Sequence, residues 1–163
     1  MARKMKYVEA FDNWLRLRSP IDMIILGLGP DGHLAFLPQG SDPKTGQLAS
    51  RVRLWPGLID WKWGLSSEAC ICTRVASAQT CDLLRPPSHA LTITLPTILT
   101  AKEIILMAFG PGKALPVYQL LEGEDGPQRF IAQYLWAAEG RVTIVLDEPA
   151  AAQLSRTSEA CCC

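Results

Sequence analysis

Residues 21–36 read Ile21-Asp22-Met23-Ile24-Ile25-Leu26-Gly27-Leu28-Gly29-Pro30-Asp31-Gly32-His33-Leu34-Ala35-Phe36, an apolar run that ends in a glycine-rich turn bearing a carboxylate and an imidazole. The run is short, β-branched at Ile24 and Ile25, and bounded by Pro20 and Gly27. These features predict a strand buried on both faces. A turn holding Asp31 and His33 just past such a strand stands where open α/β sheets place their ligands.

The same design returns downstream. Glu103-Ile104-Ile105-Leu106-Met107-Ala108-Phe109 is a second buried-strand pattern that ends at Gly110-Pro111-Gly112-Lys113-Ala114. Leu115, Val117, Leu120 and Leu121 then predict a helix closed by Gly123. A third run, Arg141-Val142-Thr143-Ile144-Val145-Leu146, leads into Asp147-Glu148-Pro149 and an alanine-rich segment. Between these, Leu91, Ile93 and Leu95 alternate with threonines in a strand pattern, and Pro96 to Ala101 form a short helix or turn. Upstream, Tyr7, Val8, Phe11, Trp14, Leu15 and Leu17 recur at helical spacing, predicting an amphipathic helix that ends near Ser19-Pro20. Pro38, Gly40, Asp42, Pro43 and Gly46 forbid a long helix after the turn, so a loop runs to about Gln47. Strands alternating with helices predict an α/β fold with a largely parallel sheet and flanking helices. Residues 1–154 read as one domain, and residues 155–163 as a tail without hydrophobic period.

Composition narrows the partners. The 163 residues carry 16 basic and 16 acidic side chains, so no net field draws nucleic acid or an anionic membrane. A small metabolite fits better. No apolar run approaches the roughly 20 residues of a membrane helix, and Met1-Ala2-Arg3-Lys4-Met5-Lys6 lacks the apolar segment of a signal peptide. A cytoplasmic location is the expectation. The six cysteines include no C-x-x-C pair, and two histidines do not complete a zinc site, so free thiols and no metal are expected.

Gly27-Leu28-Gly29-Pro30-Asp31-Gly32 matches G-x-G-x-x-G, but its context opposes a dinucleotide site. Pro30 removes an amide, Pro38 prevents a long following helix, and no acidic residue stands about 20 positions on to hold a ribose. Asp31 and His33 suit proton transfer, since an imidazole accepts and donates protons at neutral pH and a carboxylate can orient it. The plainer reading makes Asp31 a turn cap and His33 the filling of a polar niche. Lys113 suits an anion site at a helix start, or is an ordinary surface lysine. Arg51 and Arg53 would share one face of an extended segment. Trp55, Trp61 and Trp63 follow no period; core packing and a lid over a pocket both fit them, and no function is assigned from Leu54 to Pro87.

Taken together, Gly27 to Phe36, Gly40-Ser41, Ser50-Arg51-Val52-Arg53, Ala90-Leu91-Thr92, Thr97 to Ile104, Gly110 to Ala114 and Asp147-Glu148-Pro149 resemble, in order, the signature of the glucosamine-6-phosphate deaminase (isomerase) family. The sister family, 6-phosphogluconolactonase, shares the scaffold. Pro86-Pro87 with Leu91 to Pro96, and Val142 to Glu148, resemble that branch. The resemblance spans roughly Ile21 to Leu154 and implies a Rossmann-like fold that binds a hexose 6-phosphate without metal or organic cofactor. In a deaminase, His33 would help open the sugar ring with Asp31 assisting, and Lys113 would hold the phosphate, with Gly29 and Gly32 in the substrate-binding turn. In a lactonase, His33 would activate water. The deaminase pattern continues Phe-Asn-Glu-Pro, whereas this chain reads Phe36-Leu37-Pro38-Gln39, so the assisting glutamate has no counterpart. Family members extend further at the N-terminus, where they carry a second phosphate loop and the aspartate of isomerisation. The resemblance therefore implies the C-terminal portion of the fold. It is compatible with a homo-oligomer.

Overall fold

A computed structural model describes residues 2–55, 58, 87–124 and 130–155. Trp61, Trp63, all six cysteines and most of the expected tail lie outside the described residues. In chain order the elements are α1 (Ala2–Arg16), β1 (Met23–Gly27), β2 (Ala49–Arg53), β3 (His89–Ile93), α2 (Leu95–Leu99) and β4 (Glu103–Ala108). There follow a 3-10 turn (Pro111–Lys113), α3 (Ala114–Leu121), a 3-10 helix (Ile131–Ala138), β5 (Val142–Leu146) and α4 (Glu148–Ala151).

The three apolar runs become a parallel sheet in the order β1-β4-β5. Ile24 pairs with Ile104, and Leu26 with Leu106, which in turn pairs with Ile144. Period-2 alternation aims Ile24, Leu26, Ile104 and Leu106 at one face. There they pack with Ile98, Val117, Leu120 and Leu135 into a single core. On the opposite face Met23 is 48% exposed, Ile25 62% and Met107 37%. The expectation that β1 is buried on both faces is thus corrected to one. An apolar run reports that both faces suit packing, whereas burial also requires a layer on each side, and the core cluster occupies only one.

β2 and β3 form a separate antiparallel ribbon, with Ser50 opposite Thr92 and Arg53 opposite His89. Its burial departs from the simple meaning of the alternation, although Leu95 is buried as expected. Thr92 and Thr94 are buried, while Leu91 is exposed. The threonine hydroxyls explain this by satisfying loop backbone. Phe36 N donates to Thr92 Oγ1 at 3.2 Å, and Thr94 Oγ1 donates to the Gln47 carbonyl at 2.7 Å. Thr97 Oγ1 adds a third such bond, to the Leu48 carbonyl at 2.6 Å. Buried hydroxyls with partners escape the desolvation penalty of unpaired ones.

α1 ends at Arg16, slightly before Ser19-Pro20, and docks on the start of β2. Asp12 Oδ1 accepts from Leu48 N at 2.5 Å and Ala49 N at 3.0 Å, while Arg16 Nε donates to Oδ2 at 2.7 Å. Burial acts to raise the Asp12 pKa, but the two amides and Arg16 outweigh it and leave the carboxyl below its ordinary value. Asp12→Ala is expected to destabilise the chain by about 1–3 kcal/mol, because two amides lose their acceptor. The contribution should be present above the ordinary aspartate pKa and vanish as pH falls through the lowered folded value. Urea titrations of both chains at neutral and acid pH check this; equal midpoints at neutral pH would mean that α1 is held without the Asp12 carboxylate.

Candidate active site

Parallel pairing decides where the polar turns meet. Gly27 lies opposite Met107, so β1 and β4 end nearly level, and residues 28–33 and 109–113 leave the same edge of the sheet. The first turn closes on itself. Gly29 N donates to the His33 carbonyl at 2.9 Å, and Gly32 N to the Gly29 carbonyl at 3.0 Å. Both glycines are needed sterically. A Cβ at Gly29 would lie 2.1 Å from His33 Nδ1, and one at Gly32, whose φ is +76°, would lie 1.7 Å from the Phe130 ring.

The turn delivers His33 nearly buried, at 6% exposure, with Nδ1 bonded to Asp31 Oδ1. The backbone N–H of His33 approaches the same oxygen at 3.4 Å. Trp55 Nε1 donates to the other oxygen, Oδ2, at 3.0 Å. The Trp55 ring also meets the His33 ring edge to face, with centroids 5.1 Å apart and planes at 82°. Burial pushes the Asp31 pKa up, but the hydrogen bonds and charge of His33 prevail and hold it below the usual carboxylate range. A carboxylate bonded to Nδ1 can orient an imidazole and favour its Nδ1-protonated tautomer, an arrangement suited to acid–base work. Gln39 braces the turn from outside, donating from Nε2 to the Asp31 carbonyl at 2.7 Å and accepting from Ile131 N at 3.0 Å.

Lys113 reaches in from the neighbouring loop. Its ammonium donates to the Leu28 carbonyl at 2.6 Å. Burial lowers its pKa, and the Asp31 charge opposes that shift. Asp147 fixes the base of this loop by accepting from Gly110 N through both oxygens at 2.9 Å, and caps α4 through Ala150 N at 3.0 Å. An open cleft of about 760 Å³ has His33, Lys113, Gly29, Phe36, Thr92 and Phe109 among its walls. Asp31 supports His33, and Gly32 lies against Phe130. Among the described residues no three His, Cys, Asp or Glu side chains converge on a metal site, and no helix is long and apolar enough to cross a membrane.

Sequence reading left two site residues unassigned. Trp55 lies 24 positions from Asp31 in a stretch without period, and Gln39 figures only as part of the Phe36–Gln39 departure from the deaminase pattern, with no role of its own. The contacts that place them, Trp55 with Asp31 and Gln39 with Ile131, are long-range and are not encoded locally.

No family model matches the sequence. The chain is 35% identical over 152 residues to the glucosamine-6-phosphate deaminase of Mycolicibacterium smegmatis, an alignment covering 89% of this chain and 49% of that protein. It is 31% identical over 147 residues to the deaminase of Bifidobacterium longum, covering 89% and 47%. With human glucosamine-6-phosphate deaminase 2 the identity is 30% over 148 residues, covering 90% and 47%. The chain spans about half the length of the curated relatives it matches. A solved monomeric glucosamine-6-phosphate deaminase superposes with a TM-score of 0.70 at 27% identity, covering 90% of this chain and 53% of that one. The 6-phosphogluconolactonase of Trypanosoma cruzi gives 0.65 at 22% identity, covering 93% and 52%, a likeness of fold alone. The Rossmann-like α/β architecture expected from the sequence is the one these structures share.

Proposed function

We propose that this chain, which matches the superfamily of glucosamine-6-phosphate deaminases and 6-phosphogluconolactonases over about nine-tenths of its length, is a deaminase-like protein that transfers protons on a bound hexosamine 6-phosphate. One observation carries the reading: His33, bonded to Asp31, and Lys113, from loops of adjacent parallel strands, line one cleft. Lys113 takes the phosphate, a charge-assisted contact. Gly29 keeps the wall beside His33 bare, and Gly32 lets the turn close. His33 removes the proton of the C1 hydroxyl through Nε2 and returns one to the ring oxygen as the C1–O5 bond breaks. The open-chain aldehyde forms with no net change in protons, and Asp31 stabilises the intervening imidazolium.

Lactone hydrolysis is the second reading, with His33 activating water toward the lactone carbonyl. Gln39 favours it, since the deaminase pattern calls for an additional carboxylate in this segment and the Gln39 amide is instead engaged with backbone. The two separate by assay, as ammonia release from glucosamine 6-phosphate or accelerated loss of 6-phosphogluconolactone. Silence in both, with thermal stabilisation by a hexose 6-phosphate, would leave a binding role without turnover.

Lys113→Met removes the charge at similar volume and is expected to weaken hexose 6-phosphate binding at least about tenfold, or ~1.4 kcal/mol. Because burial depresses the Lys113 pKa, affinity should fall on the alkaline side before the roughly 10.4 of an ordinary lysine. Lys113→Arg, whose guanidinium stays charged, should shift that fall to higher pH. Calorimetric titration across pH checks both, and unchanged affinity in Lys113→Met would remove this lysine from the phosphate site.

A further inference from the structure

We infer that Trp55 is a positioning residue of the Asp31–His33 dyad, its indole N–H fixing the carboxylate so that the imidazole is held as one tautomer. The inference rests on the proton-transfer reading above and adds a residue to it. A carboxylate bonded at one oxygen still turns about its Cβ–Cγ bond. Here both oxygens are engaged, Oδ1 by His33 Nδ1 and Oδ2 by Trp55 Nε1 at 3.0 Å, which fixes the plane in which the Asp31 lone pairs meet His33. The Asp31 side chain is 43% exposed, so water would otherwise compete for that second oxygen.

The same indole limits the ring directly. Its edge-to-face contact with His33, 5.1 Å between centroids, opposes a swing of the imidazole away from Asp31. Trp55 is in turn anchored. It follows β2, with Leu54 buried and Leu54 N bonded to the Ser88 carbonyl at 3.1 Å, and its own carbonyl accepts from Leu58 N at 3.1 Å. The antiparallel ribbon thus serves the parallel sheet's site by presenting one N–H donor. An indole supplies that donor and cannot accept in its place, so it cannot reverse the polarity of the dyad.

Trp55→Phe retains an aromatic edge and deletes the donor. In the full chain, nitrogen NMR shifts of the neutral His33 ring should report a single Nδ1-protonated tautomer, and Trp55→Phe should give a mixture. In whichever assay shows turnover, kcat should drop about tenfold with KM within about twofold, the scale of one lost hydrogen bond. A single unchanged tautomer in Trp55→Phe would overturn the inference and reduce Trp55 to packing. A parent chain silent in both assays would count against the catalytic reading only, because the tautomer measurement decides the Trp55 role by itself. Should Trp55→Phe fail to fold, the indole proton of Trp55 is followed in Asp31→Ala. Faster exchange with solvent supports the bond, and an unmoved resonance overturns it.

Discussion

His33→Gln is expected to lower turnover by roughly 10²–10⁴-fold, the usual contribution of a positioned acid–base, while the chain stays folded. Glutamine approximates the imidazole in reach and can still bond to Asp31 Oδ1 through its amide, but it cannot carry a proton between substrate oxygens. Asp31→Asn should also lose activity, for a different reason. An amide N–H turned toward Nδ1 makes that nitrogen the acceptor and moves the ring proton to Nε2, the wrong tautomer for a base facing substrate. The Asp31 pKa lies below the ordinary carboxylate value. Its stabilising interaction is therefore complete above that value and is lost only as pH falls through the lowered folded pKa. Steady-state kinetics with glucosamine 6-phosphate and with 6-phosphogluconolactone measure the effect. Retention of turnover within tenfold in His33→Gln would place the chemistry elsewhere in the cleft.

The part of this site legible in the sequence is the part encoded locally. A β-branched run closed by glycines announces β1 and its turn, and a second such run announces β4 and the Lys113 loop. Once both strands are parallel neighbours, their turns share an edge, so His33 and Lys113 come together without further information. What depends on contacts across the chain is not legible. Trp55 gains its role from a partner 24 residues away. Thr92 and Thr94 looked like the polar half of an alternation, yet they are buried because loop backbone groups need their hydroxyls. Ile25 matches Ile24 in type but not in burial, since the core packs against one face of the sheet. Gly29 and Gly32 were read as parts of a substrate-binding turn. Their amides bond within that turn, and the structural demand on them is space for an imidazole and a phenyl ring.

That demand yields the second large effect, and two neighbouring glycines should fail in different ways. Gly32→Ala places a methyl 1.7 Å from a Phe130 ring carbon in a backbone with φ of +76°. Overpacking contributes about 1–3 kcal/mol, and the left-handed conformation about 1–2 kcal/mol more. The melting temperature should drop sharply. Phe130→Ala should recover part of this, so the double variant is more stable than the sum of the single effects predicts. Strict additivity would show that the clash relaxes elsewhere. Gly29→Ala carries no such backbone penalty, but its methyl would lie 2.1 Å from His33 Nδ1, the atom bonded to Asp31. The least disruptive relief is rotation of the imidazole, which breaks the dyad while the core beneath it stays packed. Gly29→Ala is therefore expected to lose activity about as severely as His33→Gln and to lose less stability than Gly32→Ala. Denaturation midpoints and kcat measured on the same preparations separate the two. A Gly29→Ala chain that kept full activity would mean that the His33 ring can move aside without cost, which a dyad held by Asp31 and Trp55 does not allow.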